Sequence, residues 1–471
     1  LVVHLTFRLK FLFYELKMKA FLKEVIDGLA VDYADIRVEE SETTRIVVRG
    51  QELDDLGQSF ERGGCLRVFY RGNWVVASFN VIDESLKELA DDLAIQVNEL
   101  PAREGGLVSL PAFEQVVRAP KNEDPRLVPL AAKQQLIKNY NQILLNHEQI
   151  VSTVAAYQDS HKTVYWYSSE NRYIEQEFVR SGFSCQAIAR DGANIQSYGE
   201  SFGRAKGFES LKGKEELVER VAKIAIDLLK AEPVTAGKYT VIVDPLLGGI
   251  FAHEAFGHLS EADHIAENER LKQLMRIGTR YGVEQLTIVD DPTLPDEVGS
   301  YRYDDEGVPA QRTELIAEGR IAGHLHSRHT AYLMGEAVTG NARAISYRFP
   351  PIVRMSNTYI VPGEKRLEDL LADVQDGLYV VGSRGGMTEL ETFTFSSQYA
   401  YRIENGKRTK MVRDVTLAGN VFETLKNIEA IGNDLSIHGG LGGCGKNGQS
   451  PLPVTTGAPH IRIRNVVVGG R

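Results

Sequence analysis

Residues 150–190 read IVSTVAAYQDSHKTVYWYSSENRYIEQEFVRSGFSCQAIAR. Apolar β-branched and aromatic residues recur in four runs, 150–158, 162–169, 172–180 and 183–190, separated by polar or glycine-containing breaks. Strands that follow one another through short breaks pair antiparallel, so the stretch predicts an α+β fold rather than a doubly wound one. Helical spacing brackets it, at 130–147 before and in LKGKEELVERVAKIAIDLLKA, 211–231, after. Further upstream, a helix from Met18 leads into ADIRVEE, TTRIVVRG, CLRVFYRG and NWVVASFN, the last two joined by a tight turn at Arg71-Gly72-Asn73. Residues 82–100 return to helical spacing. The predicted sheets are mixed and largely antiparallel, with helices at their flanks.

Glycine marks the next boundary. Of 43 glycines, 15 fall in residues 1–238 and 28 in 239–471, which predicts a turn-rich, β-rich C-terminal part. Pro101 to Pro129 holds five prolines and little periodicity, and reads as a linker. The expected units are an N-terminal α+β domain with its linker over 18–125, a middle α+β domain over 126–238 and a C-terminal domain over 239–471. Residues 1–17, LVVHLTFRLKFLFYELK, lack an uninterrupted apolar h-region and a small-residue cleavage site. They read as a non-native leader or extension ahead of a start at Met18.

Composition narrows the function. The net charge of −10 argues against a nucleic-acid partner, which usually meets a basic face. No run of 18 apolar residues appears, so a membrane span is not expected. With 43% hydrophobic residues the chain can build a core without disulfides. Cys65, Cys185 and Cys444 lie far apart and form no CxxC pair, which fits a reducing, cytoplasmic setting.

The strongest local signal is His253-Glu254-Ala255-Phe256-Gly257-His258. It resembles the HExxH helix of zinc peptidases with one residue added. That residue matters, because on an α-helix positions five apart lie about 140° apart, against about 40° for positions four apart. A π-bulge would restore a common face, and Gly257 could ease such a distortion. The alternative is a regular helix with one buried and one exposed histidine. Zinc needs a third protein ligand, and Cys444 is the best candidate, in the run HGGLGGCGKNGQ at 438–449. Its six glycines allow close backbone approach and positive φ; the alternative is a flexible loop with a free thiol.

Three other motifs carry less. Gly440-xxxx-Gly445-Lys446 approaches a P-loop, but Asn447 replaces the needed hydroxyl residue, and Pro451 and Pro453 follow where a helix should start. His324-Leu-His326-Ser-Arg-His329 puts His324 and His326 on one face of a strand, which allows a second metal site; such residues more often line an edge or a substrate cleft. Tyr303-Asp-Asp-Glu-Gly307 lacks the spacing of a calcium loop and reads as a turn capped by its own Asx side chains.

Four segments in order, HEAFGHLSEAD, YDDEGVPAQRT, TGNARAISYRFPPIVRMSNTYIVPG and GGCGKNGQSPLPVTTGAPHIRIRNVVVGG, resemble the TldD/PmbA metallopeptidase family. The resemblance spans about 253–470, weakens back to about residue 30, and lies on the TldD, active side. It implies that His253, His258 and Cys444 bind one Zn2+ per active subunit and that Glu254 is the catalytic base. It also implies a dimer, either with itself or with a TldE/PmbA-like subunit, around an enclosed cavity for unfolded or short peptides. The histidines at 324–329 depart from the family pattern.

The expected chemistry is zinc-assisted peptide hydrolysis with Glu254 as general base. A thiolate ligand makes the metal less Lewis-acidic than three imidazoles would, so a further donor to the transition state is expected. Tyr303, His324, His326, Arg343 and Asn357 are the candidates. Binding a peptide as an added strand would give loose sequence preference. Two alternatives stand beside this reading: a non-catalytic peptide-binding subunit with a structural zinc, and a hydrolase that uses Cys444 as nucleophile.

Overall fold

The computed structural model describes residues 17–120, 122–389 and 391–470. The expected leader, residues 1–17, lies outside this set apart from Lys17. The α+β class with mixed, largely antiparallel sheets holds, and the strands are longer than expected. The four runs of 150–190 are two continuous strands, Ile150–Ser168 (β5) and Arg172–Asp191 (β6). The polar break at Asp159 stays in the strand because its buried carboxylate pairs with Lys133 Nζ at 2.5 Å and accepts from Tyr157 Oη. The break at Ser181-Gly182 stays extended for another reason: a Cβ on Gly182 would lie 2.5 Å from Leu441 Cδ2, so glycine makes room for a loop crossing above.

The same merging joins ADIRVEE to TTRIVVRG in Tyr33–Arg49 (β1), which pairs along its length with Glu52–Tyr70 (β2). With Asn73–Phe79 (β3), Phe113–Val117 (β4) and Asn194–Arg204 (β7), these form a seven-stranded sheet ordered β3-β2-β1-β5-β6-β4, with β7 also on β6. β1 pairs with β5 from Asp35↔Ser168 to Arg49↔Val154, so the expected units 18–125 and 126–238 build one sheet. The linker is also docked: β4 adds to β6 in parallel, and Arg103 N donates to Arg71 O at 2.9 Å.

Helices cover this sheet at two places. The helices over 17–26 and Ser85–Glu99 bury their apolar stripes on β1 and β2, while Leu130–Leu145 and Glu215–Asp227 pack on β5 and β6. The C-terminal part holds a ten-stranded sheet centred on Gly237–Val243 and Ile461–Gly469 and a six-stranded sheet containing Asn357–Ile360 and Thr455–Ala458. Its largest core packs the residues of both sheets around the helix Pro245–Phe251. The acidic turn at 304–306 ties the two halves together. Asp304 caps it, accepting from Glu306 N and Val308 N, while Asp305 pairs with Arg37 at 3.2 Å and Glu306 with Arg67 at 3.1 Å. Among the described residues no helix is long and apolar enough to cross a membrane.

Candidate metal centre

The helix Pro245–Phe251 begins at Asp244, whose side chain accepts from Leu247 N at 2.9 Å, with Pro245 in the first helical position. Gly249 lets it lie against the strand Thr455–Ala458, because a Cβ there would come 2.5 Å from Gly457 N. The helix then widens to a π turn over Ala252–Gly257 and tightens to a 3₁₀ turn over His258–Ser260. This is the departure from α geometry that the spacing of the two histidines demands. Their ring centroids lie 5.2 Å apart with an interplanar angle of 81°.

Gly257 serves that turn through space rather than backbone freedom. Its φ is −58°, which any residue adopts, but an added Cβ would lie 2.1 Å from Met355 Sδ. Gly257→Ala is therefore expected to destabilise the fold by about 1–3 kcal/mol through overpacking. Met355→Ala should recover part of that loss in a urea denaturation series; no recovery would rule out this clash as the cause.

Cys444 arrives on a hairpin that the sequence reading did not foresee. The strands Cys444–Lys446 and Gln449–Leu452 pair antiparallel across Asn447 and Gly448, whose φ values of 50° and 77° suit a type I′ turn. Arg354, fully buried, donates to Cys444 O at 2.8 Å and Gln449 O at 3.2 Å. Of the six glycines, Gly448 alone takes positive φ. Gly440 and Gly443 are needed for close approach: Cβ atoms there would meet Ser201 Oγ at 2.6 Å and Leu452 O at 2.3 Å. The loop is tied to β7 by Gly203 N donating to Gly439 O at 2.8 Å and Leu441 N donating to Ser201 Oγ at 2.9 Å.

One ligand atom from each of His253, His258 and Cys444 falls within a set less than 4.8 Å across. Cys444 Sγ lies 3.2 Å from His258 Nε2. Burial pushes the thiol up, but hydrogen bonds and charge from His253 and His258 outweigh it and hold Cys444 at about 5. His258 behaves in the opposite way: burial lowers it, while Glu261 and Cys444 lift it to about 10. Glu261, fully buried, would be raised by desolvation, yet His258 and Lys446 hold it at about 2. Its Oε2 lies 3.0 Å from both His258 Nδ1 and Lys446 Nζ.

The donor set suits zinc. Two imidazoles and a group already thiolate at neutral pH make three ligands, and His253 Nδ1 is buried with no hydrogen-bond partner among the described residues. In the metal-free protein His258 must lose a proton before it can ligate, whereas Cys444 need not. Affinity should therefore rise with pH below about 10, with about one proton released from His258 per zinc between pH 7 and 9. Calorimetry in buffers of different ionisation heat measures that count, and zero release would contradict the assignment.

His253, Glu254 and Cys444 line a cleft of about 1010 Å³ between β6–β7 and the C-terminal part. Glu254 Oε2 is 3.9 Å from His258 Nε2, and its side chain is 33% exposed. The five residues expected to bind substrate do not line this cleft. Arg343 and Asn357 are buried and spend their donors on Met355 O, Pro453 O, Asp291 O and Ser300 Oγ. The Tyr303 ring packs on Phe113, 5.7 Å between centroids, beside a different cavity. His324 and His326 face Glu336. Sequence reasoning missed Glu261 and Lys446. The rule that a ligating histidine gives its second nitrogen to a carboxylate would have found Glu261, three residues past His258.

Comparison with known proteins agrees between residues 34 and 470. Residues 34–96, 123–229 and 236–470 match the models of domain 1, the central domain and the C-terminal domain of the PmbA/TldA metallopeptidases. A metalloprotease of Synechocystis sp. is 41% identical over 93% of this chain and 95% of its own. A zinc metalloprotease TldD homolog of Saccharolobus solfataricus is 32% identical over 94% and 98%. TldE of Thermococcus kodakarensis, only 18% identical, shares the fold with a TM-score of 0.75 over 96% of this chain and 99% of that one. The chain belongs to the PmbA/TldD metallopeptidase family.

Proposed function

We propose that this protein hydrolyses peptide bonds in unfolded or short peptides, using one zinc ion held by His253, His258 and Cys444, with Glu254 as general base. The observation that carries the reading is the meeting of two imidazoles and a thiolate, from segments 186 positions apart, beside a carboxylate that lines a cleft. Zinc bound there supplies a Lewis acid that eases ionisation of a water and polarises a carbonyl. Glu254, beside that ligand set, would hold a proton at its carboxylate and deliver it to the leaving amine. Glu261 positions His258 through Nδ1, and Lys446 fixes Glu261 in turn.

The ligand set numbers three among the described residues, which leaves a fourth position for substrate chemistry and favours a catalytic over a structural site. For the further donor, His438 suits best among the cleft residues. Burial lowers it towards the neutral form, and its Nε2 has no hydrogen-bond partner among the described residues. Arg384 and Gln398 in the same cleft already donate to Ser197 O and Gly199 O on the rim of β7. A peptide that adds as a strand along this edge would displace those two side-chain donors, and its main-chain contacts would then carry affinity. The proposal includes a dimer with a second copy or with a TldE-like subunit, and a cytoplasmic setting.

A thiol-nucleophile reading draws on the same 3.2 Å contact between Cys444 Sγ and His258 Nε2. It leaves the second imidazole, His253, without a task. The test is cleavage of an unfolded protein or short peptides by the zinc-loaded enzyme. Loss on chelation with recovery on zinc addition supports the metallopeptidase; activity that survives chelation and is lost to thiol reagents would overturn it.

A further inference from the structure

Away from the cleft, the chain builds a second cluster of metal-ligating side chains. His324 and His326 are 3% and 1% exposed, and Leu325 between them faces the C-terminal core. His324 Nδ1 lies 3.0 Å from both carboxylate oxygens of Glu336, and His326 Nε2 lies 3.1 Å from Glu336 Oε2. One ligand atom of each residue falls within a set less than 4.8 Å across.

The hydrogen bonds on the far sides of the two rings decide what the near sides present. His324 Nε2 lies 2.8 Å from Met275 O, and a carbonyl only accepts, so that nitrogen carries the hydrogen. In the neutral ring Nδ1 then offers a lone pair to Glu336. Thr330 Oγ1 lies 3.1 Å from His326 Nδ1 and 3.3 Å from Ser327 O; with its hydroxyl hydrogen on Ser327 O, His326 Nδ1 donates to it and Nε2 also offers a lone pair. Two lone pairs and a carboxylate, all acceptors, thus converge on one point, and a cation satisfies all three. Each imidazole with its second nitrogen bound to an oxygen is the arrangement that orients metal-ligating histidines.

Glu336 is placed there by the backbone rather than by chance. The helix Arg328–Met334 ends at Gly335 in the left-handed region, φ 66°, and Glu336 N donates back to Ala331 O at 3.0 Å. That turn carries the carboxylate over the histidines, and its 27% exposed side chain gives the cluster access to solvent.

We propose that His324, His326 and Glu336 form a second metal site, separate from His253, His258 and Cys444, for a borderline divalent cation such as Zn2+. Two imidazoles and one carboxylate are a recognised ligand set for zinc, and no thiolate is needed. The site stands behind the first. Leu325 N donates to Ser260 O at 2.8 Å and Ala262 N donates to Leu325 O at 2.9 Å, flanking Glu261, which holds His258. An ion here would brace the segment that bridges to Glu261.

The test is metal analysis of the full chain after zinc loading and removal of free metal. The proposal expects two equivalents in the wild type and one in Glu336→Gln. With Co2+, Glu336→Gln should keep the sulfur-to-cobalt absorption that Cys444 gives, and Cys444→Ser should bind one ion without it. That contrast separates failure of one site from failure of the other. Should Glu336→Gln not fold, the Cys444→Ser protein decides alone: one equivalent supports the site and none overturns it. A wild type that saturates at one equivalent, with Glu336→Gln unchanged, would also overturn it and leave a proton-bridged His–Glu–His cluster.

Discussion

Glu254→Gln should retain zinc and lose about 10²-fold or more in kcat for peptide cleavage, the range that removal of a general base costs. The amide keeps the size and shape of the carboxylate but cannot hold a proton. Glu254 Oε2 lies 3.9 Å from His258 Nε2, while Glu254 stands outside the His253, His258 and Cys444 ligand set. Metal content should therefore stay at the wild-type level, which separates loss of the base from loss of the metal. KM should change little, because the side chain is one small part of a large cleft. Glu254→Asp should fall between the two, since a shorter arm can still take a proton from a poorer position. A Gln variant that cleaves at the wild-type rate would falsify the role.

The fold class was legible from alternation, but strand length was not. Local polarity at Asp159 and the glycine at 182 look like turn signals, and both are answered by residues distant in sequence. Lys133 comes from a helix before the strand, and Leu441 comes from a loop near the end of the chain. No window along 150–190 contains either partner. The linker over 101–129 misled for a related reason, because prolines and weak periodicity describe an edge strand such as Phe113–Val117 as well as a free linker.

At the centre, the two histidines and the glutamate were legible because they lie within six residues, and the π turn followed from their angular spacing. Cys444 was suggested by glycine density, though the glycines work mostly by close approach and only Gly448 by its φ. Asn447-Gly448 was a hairpin signal read only as the failed end of a P-loop. The five substrate candidates fall outside the cleft because polar residue type was their only warrant. Arg343 and Asn357 are polar residues consumed by backbone carbonyls in the core, which sequence cannot distinguish from polar residues facing a cleft.

Cys444→Ser is expected to give the largest loss of zinc affinity among single changes at the cysteines and at Glu261. Replacing a carboxylate behind a ligating histidine typically costs about 10–100-fold in metal affinity, which sets the expectation for Glu261→Gln. Removing a ligand outright should exceed that range, since two imidazoles alone leave an incomplete set. The controls are sharp for a physical reason. Burial pushes Cys65 up to about 11 and Cys185 up to about 12, so both are neutral thiols at pH 7 while Cys444 is a thiolate. Cys185 is the stricter control, because it lines the same cleft and still should not matter. Zinc bound by the proposed set would also hold the 438–449 segment to the π turn through a single sulfur, so its loss should remove one anchor of the glycine-rich stretch. It should leave Gly439 and Leu441 on β7, Arg354 on the hairpin, Lys446 on Glu261 and Asp263, and Gln449 on Ile345 and Pro350. Limited proteolysis of the metal-free protein should then cut first within Gly439–Gly448, and zinc should protect the wild type but not Cys444→Ser. Competition titration against a chelator gives the affinity order. If Cys444→Ser binds as tightly as the wild type and its loop resists protease equally, Cys444 is not a ligand and the proposed centre does not stand.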